Sequence, residues 1–362
     1  MKKDFYIIGL MSGTSLDGLD LAYCHILKEN SNWKYHILET KNIAYTQQFQ
    51  HKLKNSIHLS SLNLLSLHNK FGTFLGEQTQ QFINEYNLKP TAISSHGHTI
   101  FHQPKQGLTY QIGSGQHIAN ITNLPVICDF RTGDVALGGQ GAPFVPIGDF
   151  HFFSDFDFCL NLGGISNISF QKENKRIAYD IAPINMLLNY LCHKINLEYD
   201  HQGEIARKGK LNPQLLNELN ALEFYRSSPP KSLGIEWFEE KMLPIINSSE
   251  DEIENLLHTA VHHIAMQIAH TVQQTSIRKG KILVTGGGAK NIFFVETLQY
   301  YLGENYFIEV PSAELIDFKE ALIFAFMGVL RLEREINCLS SVTGAQKDSC
   351  SGVIYQPSSF HN

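Results

Sequence analysis

Three glycine-rich turns in the sequence have the composition of phosphate-binding turns. They are Gly13-Thr14-Ser15-Leu16-Asp17-Gly18, Leu162-Gly163-Gly164-Ile165-Ser166-Asn167 and Gly286-Gly287-Gly288-Ala289. Backbone amides bind phosphate oxygens best where glycine lets the chain approach them closely. Each turn taken alone is also typical of an ordinary tight turn. The occurrence of all three in one chain favours phosphate binding.

The first turn also carries groups that can orient a metal ion. Thr14 and Ser15 supply hydroxyls, while Asp17 and Asp20 supply carboxylates that could orient a hydrated Mg²⁺. The turn is not a Walker loop, because it lacks the terminal Lys-Ser/Thr and the apolar run 19–26 after it predicts a strand instead of a helix.

The elements that position these turns alternate between strands and helices. The first two turns are predicted to join two strands each, and the third to join a strand to a helix. Strands are predicted at residues 5–11, 19–26, 34–40, 92–93, 126–128, 156–162, 168–170, 281–285 and 352–355. Helices are predicted at residues 61–87, 184–195, 257–272, 291–302 and 317–334. This alternation, without a long linker, favours an α/β protein of two similar lobes.

Length, charge and composition narrow the class of protein. A chain of 362 residues is longer than one hydrophobic core usually organises. The net charge is −6 and no basic run exceeds two residues, which argues against a general nucleic-acid binder. The sequence has no apolar stretch of 18 residues and no C-x-x-C pair, so we expect a cytoplasmic protein with free thiols, outside the membrane.

Seven blocks of the sequence resemble the anhydro-N-acetylmuramic acid kinase family. The segment 11–18 looks like the opening signature of that family, and 129–143 resembles its DFR-xx-DVAxGGQGAP block. The remaining blocks follow in family order: Ser95-His96-Gly97-His98-Thr99, 161–167, Pro229-Pro230-Lys231-Ser232, 286–291 and Glu320-Ala321. The resemblance covers essentially the whole chain.

The resemblance implies a two-lobed actin/hexokinase-like (ribonuclease H-like) α/β ATPase fold with an interlobe cleft. Lobe I is expected to hold residues 1–127 and 337–362, and lobe II residues 128–336. The implied reaction, part of peptidoglycan recycling, opens the 1,6-anhydro bridge of a muramic acid sugar with water and transfers the γ-phosphate of ATP to O6. Mg²⁺ is the expected cofactor beside ATP, and no residue is expected to form a metal site for it.

The family's catalytic base is the Asp of a D-T-G-P-G-N segment, which falls on Asp180 here. Asp180 follows a short apolar stretch and precedes a predicted helix, so a carboxylate at a strand end is expected. Capping of that helix is the alternative role for Asp180. Ile181, Ala182 and Ile184 replace the Thr and both Gly of the family pattern, which places bulk near the expected sugar site.

The resemblance also implies which other residues contact the ligands. The nucleotide is expected at Gly13, Thr14, Ser15, Leu16, Asp17, Gly18, Leu19, Asp20, Gly163, Gly164, Asn167, Gly286, Gly287, Gly288 and Asn291. Candidate sugar ligands are His96, Arg131, Asp134, Gln140 and Glu320. A guanidinium fits a substrate carboxylate or a phosphate equally well, and structural hydrogen bonds or ion pairs are the alternative for each candidate. His96, His98 and His102 also allow a metal site, which is less favoured than hydrogen bonding to the sugar or packing of the loop.

Two other functions stay open from the sequence. One is an ordinary hexose kinase of the same fold, and the other is a non-catalytic nucleotide-binding protein, suggested by the altered segment 180–185. The expected partners are a small sugar and, as one option, a second copy of the chain in a homodimer.

Overall fold

The structure is a computed structural model that describes residues 2–13 and 16–358. Its strands are β1 (Lys2–Met11), β2 (Gly18–Glu29), β3 (Asn32–Ala44), β4 (Ala92–Ser95), β5 (His98–Gln103), β6 (Leu108–Ile112), β7 (Val126–Cys128), β8 (Phe158–Leu162), β9 (Ile165–Lys172), β10 (Lys175–Pro183), β11 (Gly280–Thr285), β12 (Tyr306–Glu309) and β13 (Val353–Tyr355).

The helices follow the same chain order. They are α1 (Gln47–Lys54), α2 (Ser61–Glu85), α3 (Gly115–Thr122), α4 (Phe130–Ala136), α5 (Val145–Phe152), α6 (Asn185–His193), α7 (Glu204–Lys208), α8 (Pro213–Asn220), α9 (Ile235–Trp237), α10 (Leu243–Ser248), α11 (Ile253–Gln273), α12 (Ile292–Leu302), α13 (Ala313–Glu333) and α14 (Ser340–Thr343). A π-helical turn, Phe238–Met242, joins α9 to α10.

The chain divides into two compact units, and both repeat one sheet order. Unit 1 comprises residues 1–152 and 318–362, and unit 2 comprises residues 153–317. The sheet of unit 1 runs β13-β7-β4-β1-β2-β3, and that of unit 2 runs β10-β9-β8-β11-β12. In each sheet an antiparallel three-stranded meander continues into two parallel strands. This repeated order confirms the actin/hexokinase-like α/β fold class.

The boundaries of the units lie at 152/153 and 317/318, whereas the sequence suggested lobe boundaries at 127/128 and 336/337. Residues 128–152 stay with unit 1, where the ring centroid of Phe152 in α5 lies 4.8 Å from that of Tyr35 in β3. Residues 318–336 join the same unit because α13 packs on β1. An added Cβ at Gly9 in β1 would lie 1.9 Å from the carbonyl oxygen of Ala321 in α13, so only glycine permits this approach.

The predicted hairpins are confirmed, since β1 pairs with β2 and β8 pairs with β9 in antiparallel register. The predicted long helices correspond to α2, α11 and α13. The sequence analysis missed the hairpin of β5 and β6, the strands β10 and β12, and the shorter helices α1, α3, α4, α5, α7, α8, α9, α10 and α14. β5 lacks a regular alternation of apolar and polar residues, whereas Leu108–Ile112 does alternate and carries the pattern of a half-buried strand, so β6 could have been predicted from its sequence.

Unit 2 has its core between its sheet and α11. Leu257, Val261, Ile264 and Ile268 of this helix are all buried there. Their spacing of three and four residues is the pattern that predicted the helix, because such positions share one helical face. The same core includes residues of β8, β9, β10 and α6, so it holds the strands that carry the second and third glycine turns.

Candidate functional site

The first glycine turn joins β1 to β2 at one end of the unit 1 sheet. Thr14 and Ser15 lie outside the described residues. Within the described part, Leu16 donates its backbone N–H to the carbonyl oxygen of Gly13 at 3.3 Å, and Tyr45 donates to that of Asp17 at 3.2 Å. Asp17 is exposed, and Asp20 accepts a hydrogen bond of 2.7 Å from the amide of Asn42. The backbone on either side of the turn is therefore anchored while a carboxylate stays accessible.

A buried hydrogen-bonded group lies directly before this turn. The Tyr45 hydroxyl donates to Oγ of Ser12 at 2.7 Å, and Ser12 Oγ lies 3.1 Å from Nδ1 of His98. Burial lowers the pKa of His98, so its imidazole is neutral near pH 7. Sequence reasoning missed the roles of Ser12 and Tyr45, because their partners are distant in the chain.

Arg131 and His96 are joined by hydrogen bonds in unit 1. Nε and Nη2 of Arg131 both donate to Nε2 of His96, at 3.0 and 2.9 Å, and Nη1 donates to the carbonyl oxygen of Gly141 at 2.9 Å. Burial and the neighbouring guanidinium hold the pKa of His96 well below its usual value. Neutral His96 can donate from Nδ1 to the carbonyl oxygen of Gly97, 3.0 Å away, and accept at Nε2.

The Arg131 guanidinium keeps donors for a ligand. A guanidinium has five N–H groups, and three of its nitrogens each use one here. Burial lowers the pKa of Arg131 to about 10, and the charge of Glu320 opposes that shift, so the group remains a cation at neutral pH. A partly buried cation with two open donors suits a carboxylate or phosphate oxygen.

Glu320 belongs to an acidic group with Asp17 and Asp20. Desolvation raises the pKa of Glu320, Arg131 opposes the shift, and both aspartates raise it further. The Glu320 side chain nevertheless keeps solvent-accessible surface. Glu320 is thus a carboxyl group of unit 1 that shares the electrostatic environment of Arg131 and of the first glycine turn.

Asp134 and Gln140 occupy different environments. Asp134 is 0 % exposed, and its two oxygens accept hydrogen bonds from Oγ1 of Thr343 at 2.7 Å and from the backbone N–H of Gly141 at 2.8 Å. These bonds match the structural alternative for Asp134, which positions the loop that carries Gly141. Gln140 is exposed, and its backbone N–H donates to the carbonyl oxygen of Thr343 at 2.8 Å.

In unit 2 the second glycine turn is bonded to the start of α6. The carbonyl oxygen of Gly164 accepts from the N–H groups of Ile184 and Met186 at 2.9 and 3.1 Å, and that of Gly163 accepts from Asn185 at 3.3 Å. The Asn185 side chain also donates to the carbonyl oxygen of Leu162 at 3.0 Å. The turn is therefore held by its carbonyl groups. Sequence reasoning missed Asn185 as the residue that holds it.

The third glycine turn packs directly on the second. Gly286 has φ +83°, and an added Cβ would lie 2.6 Å from Oδ1 of Asn161, so this position requires glycine. A Cβ at Gly288 would lie 2.8 Å from that of Leu162, whereas Gly287 is exposed. Asn291 caps α12 by accepting from the N–H of Phe294 at 2.9 Å. The close packing brings two predicted phosphate-binding turns of unit 2 together.

A cavity of about 600 Å³ opens beside the third turn, within unit 2. Gly287, Gly288 and Asn291 line it, together with Asn185 of α6 and Tyr199. Its volume falls within the range of ligand sites in proteins. Tyr199 is exposed and offers an aromatic face, while the asparagines offer amide donors and acceptors.

Asp180 lies within β10, not at the end of a strand as expected. It pairs with Asn167 in β9, Asn167 pairs with Asn161 in β8, and Asn161 pairs with Thr285 in β11. Directly paired residues share one face of a sheet, so these four side chains form a polar row across four strands. The sequence analysis did not predict that Asn161 and Thr285 belong to this row, because strand pairing places them there.

The Asp180 carboxylate does not cap α6. The residue at that helix terminus is Ile184, without a side-chain cap. Oδ2 of Asp180 instead accepts from the backbone N–H of Leu233 at 2.9 Å, and the Asp180 N–H donates to the carbonyl oxygen of Lys231 at 3.1 Å. Desolvation raises the pKa of Asp180, and the Leu233 bond opposes this shift. A half-buried carboxylate with a raised pKa has the properties of a general base.

The three residues that depart from the expected family pattern lie in the core of unit 2. Ile181 is 1 % exposed, and Ala182 and Ile184 are 0 % exposed. Ile181 is the unpaired residue of a β-bulge between Asp180 and Ala182, and it packs in the core cluster while Asp180 keeps accessible surface. The larger side chains at these positions, which were expected near the sugar, therefore pack in the core of unit 2.

His96 and His98 have different hydrogen-bond partners. Gly97 separates β4 from β5, His96 contacts Arg131, and His98 contacts Ser12. The described residues contain no group of three or more His, Cys, Asp or Glu side chains able to hold a metal ion. Across the same residues, no helix has the length and apolar character needed to cross a membrane.

The chain was compared with protein-family models, with named proteins and with solved structures. The model of the family "Anhydro-N-acetylmuramic acid kinase" matches residues 5–357. Proteins of that name from Bacillus thuringiensis subsp. konkukian and Francisella tularensis subsp. novicida are each 32% identical to the chain, over 97% and 98% of it and 99% of their own lengths. Among solved structures, a ROK family glucokinase from Streptomyces griseus in complex with glucose and AMPPNP is 10% identical, covers 89% of this chain and 98% of its own, and has a TM-score of 0.40.

Proposed function

Because the chain belongs to the anhydro-N-acetylmuramic acid kinase family, we propose that it opens 1,6-anhydro-N-acetylmuramic acid and phosphorylates O6 with ATP. The products are N-acetylmuramic acid 6-phosphate and ADP. The observation that carries the proposal within the site is the half-buried carboxylate of Asp180, aligned with Asn167 of the second glycine turn.

Asp180 is the proposed general base. Its carboxylate accepts a proton from water as the water oxygen forms a bond to C1 and the C1–O6 bond breaks. The released O6 then forms a bond to the γ-phosphorus, and the bond from that phosphorus to the bridging oxygen of ADP breaks. The Leu233 N–H holds one carboxylate oxygen at 2.9 Å, which leaves Oδ1 to face the water.

The nucleotide is assigned to the second and third glycine turns and the neighbouring cavity. Gly287 and Gly288 border that cavity, so a phosphate chain near the glycine amides can continue into a nucleoside within it. Asn185 and Tyr199 supply polar and aromatic contacts to a base or ribose. In unit 1, the turn containing Gly13 and Asp17 is assigned to the terminal phosphates.

The charge of the transferred phosphate needs compensation. The carboxylates of Asp17 and Asp20 fit a hydrated Mg²⁺, since this ion is commonly held by one or two carboxylates, several waters and the phosphates themselves. Bound there, Mg²⁺ neutralises charge on the phosphate oxygens. Arg131 is assigned to the carboxylate of the sugar, because its two remaining N–H donors match a carboxylate oxygen pair.

The test is an ADP-release assay with 1,6-anhydro-N-acetylmuramic acid in ¹⁸O-labelled water, with and without Mg²⁺. We expect Mg²⁺-dependent ADP release and one ¹⁸O atom at C1 of the product. An ordinary hexose kinase would phosphorylate N-acetylmuramic acid or glucose without labelling C1 by this step. ATP binding without product formation would identify a non-catalytic relative, and either outcome rejects the proposal.

Location and assembly are also proposed. Use of ATP supports action in the cytoplasm, which localisation of a tagged chain would test. A homodimer stays a prediction, and light scattering coupled to size-exclusion chromatography measures it directly.

A further inference from the structure

A second cavity of unit 2 lies behind the strand that carries Asp180. Its volume is about 350 Å³, and Tyr179, Ile181, Arg226, Lys231 and His270 are among the residues that line it. Tyr179 directly precedes Asp180 in the regularly paired part of β10, so its side chain points to the opposite face, and Ile181 is the unpaired residue of the bulge that follows Asp180. The cavity is therefore distinct from the polar face of the sheet where Asp180, Asn167 and Asn161 lie.

The charge of this cavity is positive. Arg226 contributes a guanidinium, Lys231 an ammonium group whose pKa burial lowers, and His270 an imidazole, and the lining residues that the structure describes include no carboxylate. The described residues provide no hydrogen bond or ion pair to the guanidinium of Arg226. Lys231 donates to the carbonyl oxygen of Phe224 at 3.1 Å, which uses one of its three N–H groups.

The remaining walls complete a small polar site. Ser227 and Ser228 contribute hydroxyl groups, and Tyr179 and Pro229 contribute flat apolar surface. Arginine and lysine donors together with hydroxyls are the groups that bind phosphate oxygens. The volume lies at the lower end of the range for small-molecule sites, which limits the ligand to a phosphate with at most a small organic body.

We propose that this cavity binds a phosphate-bearing small molecule, either inorganic phosphate or a sugar phosphate. Such a ligand would touch both neighbours of Asp180 in β10. It would also touch Lys231, whose carbonyl oxygen accepts the Asp180 N–H at 3.1 Å. A ligand in this place therefore acts on the segment that positions the carboxylate, without entering the reaction itself.

Binding can be measured apart from catalysis. The chain has two tryptophans, and Trp237 lies with its ring centroid 5.4 Å from that of Phe224 and 6.1 Å from that of Tyr225, beside the cavity. In a Trp33→Phe background, the emission of Trp237 is expected to change saturably with inorganic phosphate or glucose 6-phosphate. Potassium chloride of equal ionic strength should leave it unchanged.

The decisive comparison is Arg226→Gln against Arg334→Gln, an exposed arginine of unit 1. Arg226→Gln is expected to weaken phosphate or sugar phosphate binding at least about tenfold, since a charge-assisted pair is lost. Arg334→Gln is expected to bind as the parent does. The proposal is overturned by equal binding in Arg226→Gln and its parent, or by no saturable response to either ligand.

A second measurement avoids any effect of Trp33→Phe on folding. Equilibrium dialysis of the unmodified chain with ³²P-phosphate, or with labelled glucose 6-phosphate, is run with a saturating non-hydrolysable ATP analogue. The analogue occupies the nucleotide site, so label that the unmodified chain binds and Arg226→Gln does not bind reports the second cavity. Binding by only the sugar phosphate would identify the apolar wall as part of the site. If neither phosphate nor sugar phosphate binds in the presence of the ATP analogue, the proposed phosphate site is rejected.

Discussion

The backbone N–H of Leu233 donates a 2.9 Å hydrogen bond to Oδ2 of Asp180, across 53 positions of the chain. This bond orients the carboxylate and leaves its other oxygen for the reacting water. Desolvation raises the pKa of the same group. The orientation and the basicity of Asp180 therefore come from different features, and each can be tested separately.

Asp180→Asn is expected to lower kcat by about 10²–10⁴-fold, the usual contribution of a general base. The Asn oxygen can still accept from Leu233, so ATP affinity should stay within about twofold of the wild type. Single-turnover assays and calorimetric titration with ATP measure the two quantities. Normal turnover by the variant would remove Asp180 from the mechanism.

The pH profile of kcat/KM should fall on the acid side at a higher pH than an exposed aspartate gives. Asp180 acts as a base only when deprotonated, and its pKa lies above the ordinary value because burial disfavours the charge. A rate that stays constant down to about pH 4, the range of an unperturbed aspartate, would contradict this assignment.

The same shift predicts an effect on stability. The folded protein holds the Asp180 proton more tightly than the unfolded chain, so this contribution favours folding at low pH and is lost as pH rises through the folded-state pKa. At pH 7 Asp180→Asn should therefore unfold at the same or a higher temperature than the wild type. Thermal melts at pH 7 measure this, and clear destabilisation by the variant would refute it.

Arg131→Lys should raise KM for the anhydro sugar about tenfold or more and leave KM for ATP nearly unchanged. Lysine retains the charge but cannot bond His96, Gly141 and a ligand in the same planar geometry. Initial rates with each substrate varied in turn separate the effects. Equal increases in both KM values would argue against a contact between Arg131 and the sugar.

Asp134→Ala is expected to lower the free energy of unfolding by about 2–3 kcal/mol, because it leaves the buried Gly141 N–H unpaired and removes the bond from Thr343. Thr343→Val is the matched variant, which removes a single partner and should cost about 1 kcal/mol. Urea denaturation gives both values. Equal stability of Asp134→Ala and the wild type would show that the hydrogen bonds of Asp134 to Thr343 and Gly141 do not stabilise the fold.

Gly9→Ala should destabilise unit 1 by more than about 2 kcal/mol, since its Cβ would lie 1.9 Å from the carbonyl oxygen of Ala321 and α13 would have to move. Gly164→Ala is the control, because nothing lies within 4 Å of an added Cβ there. The two variants are compared by thermal melts. Similar melting temperatures would show that α13 approaches β1 less closely than described.

Local patterns in the sequence determined most of the framework. The apolar runs before Gly13 and Gly163 indicated the two hairpins, and the helical spacing of Leu257, Val261 and Ile264 indicated α11. These signals depend on neighbours within a few positions, so they can be read from composition and spacing alone. The motif blocks were likewise sufficient to identify the family.

Only the tertiary structure decided which side chains share an environment. Asp180 meets Leu233 and Asn167, Arg131 meets His96, and Asp134 is enclosed by Thr343 and Gly141. Ile181 and Ile184, which depart from the family pattern, are core residues, and only the tertiary structure shows this. Such contacts join positions far apart in the chain, and strand register and helix packing set them, which no local pattern encodes.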